Sequence, residues 1–199
     1  MSKKTVLLLL GPLVAAMSVT ACSGGDTPVL APAPSSSTPP SPGPSVVPTG
    51  EAGIPRGGAI DPATVDPGDP DQVADAVVTT METVDTRIDK HPMDASRRAA
   101  PWLSVQYLDQ VSEPVPGGGG AQWLELEKHD GYTTTTVSDA TEMGQPEDTA
   151  TEAFRARATL TEQLGAGGWT GEPTQYVYYV YLIRDSATDP WVVNAVAVG

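Results

Sequence analysis

Few side chains in this sequence could do chemistry, and no two of them form a recognised pair. Cys22 is the only thiol, so it closes no disulfide within the chain and builds no cysteine-based zinc site. His91 and His129 are the only imidazoles. His91 stands at a helix end and His129 precedes Asp130-Gly131, so both read as turn or terminus residues, at a spacing that names no metal site. Ser138-Asp139 lacks a nucleophile motif such as G-x-S-x-G. The four glycines 117–120 follow no strand and precede no Lys-Ser/Thr, so they read as a linker, not a phosphate cradle. An enzyme would have to use Asp85 or Asp89 near Tyr107 or Tyr132. We assign no catalytic residue, no cofactor and no metal ligand from these residues.

The aromatic residues say more. Along Gln175–Arg184, Tyr176, Tyr178, Val180 and Leu182 fall on one face of a strand, and Val177, Tyr179, Tyr181 and Ile183 on the other. One set must pack on the helices. The other is core, a dimer interface, or a surface for a ligand or partner, because Tyr offers contact area with a polar tip. Trp169 lies in the glycine-rich hairpin 165–171, as a lid or a contact residue. Tyr176, Tyr178, Tyr179, Tyr181 and Trp169 are therefore the candidate binding surface.

These residues need elements to position them. Asp69-Pro70-Asp71-Gln72 reads as a capped helix start, and Val73, Val77, Met81, Val84 and Ile88 continue an apolar stripe to about Asp89. The acids Asp71, Asp75, Glu82, Asp85 and Asp89 lie off that stripe and read as a solvated face. His91-Pro92 breaks the helix. Asp94 caps a short helix over 95–100, Ser104 caps a further turn, and 122–129 reads as a helix ending near Gly131. Beyond it the period becomes two. Strands are predicted over 132–138, 154–161, 175–184 and 191–198. Helices followed by an antiparallel meander make an α+β domain.

The N-terminal third has another character. Lys3 and Lys4 precede the mostly apolar stretch Val6 to Val19, which is shorter than the roughly 20 residues a spanning helix needs. This pattern fits a signal peptide, residues 1–21. Residues 22–68 are rich in Pro, Ser and Gly, and all 11 aromatic residues lie between Trp102 and Trp191. Such composition cannot offset the entropy of folding, so 22–68 reads as a disordered tether and 69–199 as one folded domain. In extended polyproline geometry the tether would reach on the order of 140 Å, and as a flexible coil about 40 Å.

Val19-Thr20-Ala21-Cys22 resembles the lipobox of bacterial lipoproteins. The resemblance implies cleavage after Ala21 and a diacylglycerol on the Cys22 thiol. It also implies palmitate-type acyl chains that hold the protein on the extracytoplasmic face of the cell membrane, in the cell envelope. Two chains would be a stable anchor, at about 0.8 kcal/mol per buried CH₂. Loss of residues 1–21 removes two of the 11 basic residues and none of the 25 acidic ones. The mature chain is then more acidic still, so the lipid and not a basic patch would hold it to the membrane. A sequence pI near 4.3 argues against nucleic acid as a partner.

The order of elements, with Arg97-Arg-Ala-Ala-Pro-Trp-Leu103 between the helices and the meander, is similar to the nuclear transport factor 2-like, cone-shaped fold. In particular it resembles small actinobacterial lipoprotein domains of that kind. Some of those relatives belong to conjugation or secretion apparatus. That fold hosts enzymes, binders and scaffolds alike, so it carries over no site residue. Three functions follow as expectations. The first is a non-catalytic binding or assembly domain with a protein partner or a second copy. The others are a binder of an apolar small molecule in the cone, and an enzyme using the same pocket.

Overall fold

The computed structural model describes residues 53–114, 116–141 and 145–199. Ala21, Cys22, the signal segment and positions 22–52 of the tether lie outside the described residues.

Among the described residues, four α-helices precede four strands. Helix α1 spans Pro70–Glu82. Asp69 caps it, accepting from the Asp71 amide at 2.9 Å and from Gln72 Nε2 at 3.0 Å. The helix buries Val73, Ala74, Ala76, Val77 and Val78. It ends seven residues before the expected stop at Asp89. Thr83 turns extended, the Val84 amide donates to Thr133 Oγ1 at 2.8 Å, and Asp85 bridges to Tyr132. A cross-chain partner thus replaces the next helical turn. Helix α2 is Met93–Arg98, two residues earlier than predicted, because Asp94 accepts from the Lys90 and His91 amides from within the helix. Helix α3, Val105–Ser112, is capped as predicted by Ser104, which accepts from the Tyr107 amide at 3.1 Å. Helix α4, Gly120–Lys128, begins within the glycine run. Past its end the chain turns at Asp130, in the left-handed region at φ 47°, and the Gly131 amide returns to the Leu126 carbonyl at 2.8 Å.

The strands β1 (Tyr132–Asp139), β2 (Glu152–Leu164), β3 (Thr174–Ile183) and β4 (Val192–Val198) form one antiparallel sheet in chain order. A register shift follows Tyr181 in the β3–β4 pair. The architecture is α+β, as the change of period predicts. Tyr178, Val180 and Leu182 of β3 and Val193 of β4 close on Val73, Val77 and Val78 of α1, with Trp102, Leu103 and Tyr107 completing the core. Val84, Ala95, Trp123 and Leu126 make a second, smaller cluster.

The described part of the segment read as tether is packed on the domain. The Arg56 side chain is fully buried and ion-paired to Asp85 at 2.6 Å. A Cβ on Gly57 would stand 1.9 Å from the Thr133 carbonyl oxygen, so the backbone there passes too close for any other residue. Ile60 and Val65 pack on the main core, and the Trp191 amide donates to the Pro67 carbonyl at 2.8 Å. The folded domain thus takes in residues before Asp69. Proline and glycine exclude helix and central strand from this stretch, but they do not prevent an irregular arm from docking.

Of the acids expected on a solvated face, Asp71 and Asp75 are indeed exposed, though each is ion-paired, whereas Asp85 and Asp89 are buried. Arg157 projects from β2 and is buried against Asp71, Asp75 and Asp139. Arg155, two residues away on the same face, joins Asp71 at 2.8 Å to Asp148 at 2.7 Å. Asp85 pairs with Arg56 and Asp89 with Arg98. Burial raises the Asp85 carboxyl, but hydrogen bonds from Arg56 and the Arg87 amide outweigh it and hold the group below its ordinary value near 3.8. Asp71 is likewise raised by burial and lowered further by Arg157 and Arg155. A carboxylate depressed on folding contributes stability that is full above its unfolded pKa and is lost as the pH falls through the folded one. Urea midpoints are therefore expected to hold from neutral pH down to about 4 and to fall steeply below about 3.8. A midpoint unchanged between pH 5 and 3 would contradict this.

Candidate functional site

The five candidate residues do not form one surface. Alternation along β3 sends Tyr178 inward, where it is 6% exposed beneath α1. Tyr178 is core, and its place in a binding surface is corrected. Tyr176 shares its face but lies past the end of the helix cover and is 39% exposed, with its ring edge-on to Tyr178 at 6.4 Å. Tyr179 and Tyr181 point to the opposite side of the sheet. Trp169 is half-buried. It lies flat on His129, ring centroids 4.4 Å apart and planes 5° apart, against the smaller cluster. It is thereby a packed loop residue, not an exposed contact.

Two candidate sites remain, one on each side of the sheet. On the outer side, the Phe154 ring meets Tyr181 edge-on at 4.9 Å and lies near Tyr179 at 6.1 Å. Tyr181 is 48% exposed and Leu160 of β2 is 40% exposed. A groove of about 420 Å³ runs beside this group, lined by Pro146, Phe154, Tyr181, Ile183 and Ala195 among others. Such a face joins aromatic and aliphatic surface with phenol tips to the polar Glu147, Glu152 and Asn194 of the groove, which suits contact with another molecule.

On the inner side, a cavity of about 230 Å³ opens where α1 ends. Glu82, Thr133 of β1, Thr161 of β2, Tyr176 of β3, and Trp123 and Leu126 of α4 contribute to its wall. Thr161 Oγ1 donates to Glu82 Oε2 at 2.9 Å, and the Tyr178 hydroxyl donates to Glu82 Oε1. Burial, and then the charge of Glu82, push the Tyr178 phenol up, so it stays a donor. Thr133 Oγ1 ties the end of α1 to β1 by donating to the Glu82 carbonyl at 2.6 Å. Sequence reasoning put Glu82 on a solvated face. The missed signal was position, because a carboxylate in the last turn of a helix opposes the helix dipole.

The acids first considered for an enzyme are committed elsewhere. Asp85 accepts from the Arg56 amide and guanidinium, and Asp89 from Arg98 and the Asp85 amide. The Tyr132 ring carries the Arg56 guanidinium at 4.7 Å. Tyr107 is buried in the core. Of the imidazoles, His91 Nδ1 accepts from the Met93 amide at 3.2 Å and His129 meets Glu125 at 3.0 Å. Among the described residues no group of three His, Cys, Asp or Glu could hold a metal ion, and no helix is long and apolar enough to cross a membrane. No protein-family model matches the chain, and no curated protein matches it in sequence.

Proposed function

We propose that this chain is a lipoprotein anchored through Cys22 on the extracytoplasmic face of a bacterial membrane, whose domain is a non-catalytic binding and assembly module. The lipobox-like Val19-Thr20-Ala21-Cys22 supports the anchor. The observation that carries the module is the outer face of the sheet, with its Phe154–Tyr179–Tyr181 aromatic group and exposed Leu160. Helices followed by an antiparallel meander also suit the nuclear transport factor 2-like fold, and that resemblance points to an accessory role in a conjugation or secretion apparatus. The partner is a protein, either of that apparatus or a second copy of this chain.

Both halves have a direct test. Cys22→Ala should appear in the medium or stall as the unprocessed form, and full membrane retention of a normally cleaved variant would refute the anchor. A photo-crosslinking residue at position 181 in intact cells should capture a discrete protein, while one at the exposed Leu124 of α4 should not. Equal capture at both positions, or none at 181, would refute the outer face as the contact.

A further inference from the structure

The inner cavity carries a second inference, independent of the outer face. Five acids lie between Asp71 and Asp89. Among the described residues, Asp71, Asp75, Asp85 and Asp89 each pair with an arginine. Among the described residues the Glu82 carboxylate has hydroxyl partners alone, Thr161 and Tyr178. Those two hydrogen bonds fix its rotamer but leave its charge uncompensated, and a carboxylate offers about four acceptor sites. The end of α1 adds its own negative partial charge. Among the described residues no Lys or Arg lines the cavity, and Glu82 is the one formal charge in its lining.

Besides Glu82 the described lining is neutral, aromatic and aliphatic at Trp123, Tyr176 and Leu126 and polar at Gln122 and three threonines. A divalent metal needs six or more oxygen ligands, or a tight set of nitrogen and sulfur ones, and one carboxylate does not supply them. An anion would meet Glu82. A neutral apolar molecule would leave the carboxylate desolvated and unpaired. An organic ammonium satisfies both parts, by pairing with the carboxylate and by lying on the ring faces. We propose that the Glu82 cavity binds a small organic cation, a primary or quaternary ammonium compound, with Glu82 as counter-ion and Tyr176 and Trp123 as aromatic walls. The chain's net charge of −14 would raise the local concentration of such cations.

The probe is choline, and its control is 3,3-dimethylbutan-1-ol, which has the same shape without the charge. Binding to the full-length chain in a non-ionic detergent is followed by calorimetry and tryptophan fluorescence. Choline should bind at least about tenfold more tightly than the neutral alcohol, the difference expected when a desolvated cation–π contact and an ion pair are present in one ligand only. Glu82→Gln should remove that preference. Tyr176→Leu, at a position exposed enough to spare the fold, should weaken choline by about tenfold and leave the alcohol nearly unaffected. If Glu82→Gln does not fold, Tyr176→Leu decides alone. Equal binding of choline and alcohol, or binding of choline unchanged by these substitutions, would overturn the proposal. So would absence of binding by choline, tetramethylammonium and n-butylammonium alike.

Discussion

Replacing Arg56 by Ala is expected to cost about 3–5 kcal/mol of folding stability, because it leaves a buried carboxylate without its counter-charge. The Arg56 side chain is inaccessible to solvent and that of Asp85 is 2% exposed. Arg56 also donates to the Asp130 carbonyl at 2.9 Å and the Gly131 carbonyl at 3.1 Å, so three backbone segments meet at one guanidinium. Against a total of about 5–15 kcal/mol for a domain, that loss alone brings the fold near its limit. Lysine should not rescue it, since one ammonium cannot reproduce the planar fork that serves Asp85 and both carbonyls. The same argument reverses the expectation that 69–199 folds by itself, because a chain starting at Asp69 lacks Arg56 altogether. Chemical denaturation of chains starting at Gly53 and at Asp69, with Arg56→Ala alongside, tests this. Equal midpoints for all three would show that the arm is ornamental.

Tyr178→Ala should also cost about 3–5 kcal/mol, the usual range for a large aromatic core residue. Tyr181→Ala, on the other side of the same strand, should cost about 1 kcal/mol or less, mainly its edge contact with Phe154. Tyr178→Phe separates packing from hydrogen bonding. It keeps the ring and removes the bond to Glu82, for about 1.5–3 kcal/mol. Thermal melts and sedimentation of the three variants give the answer. If Tyr178→Ala and Tyr181→Ala lose stability equally, and neither changes association, both faces are core and the outer-face assignment fails.

What was legible in the sequence is what depends on near neighbours. Asp69 and Ser104 cap helices because a side-chain oxygen two or three residues back reaches a free amide, and that pattern is printed in the chain. The strands announce themselves by alternation, although alternation alone could not say which tyrosines point inward. That choice depends on which face α1 covers. The arginine–aspartate ties were hidden because their partners lie far apart in the chain. Asp71 and Asp75 meet Arg157 more than 80 positions later. One clue was available, since two acids one helical turn apart and two arginines two apart on a strand make complementary rows. Arg56 was hidden more deeply, as the one basic residue in a proline- and glycine-rich stretch whose composition describes what it cannot form and not where it docks.

The docking of Arg56 also determines how the molecule would carry a mechanical load. Among the described residues, a pull transmitted along the chain from the N-terminal side reaches Arg56 before it reaches any helix. There it is shared between the turn after α1, through Asp85, and the turn before β1, through Asp130 and Gly131. Those turns adjoin Val84 and Thr133, which line the Glu82 cavity. If the chain is held from its N-terminal side as proposed, tension would therefore strain the mooring point and the cavity wall together, while the outer face of the sheet, which no hydrogen bond of Arg56 among the described residues reaches, stays unloaded.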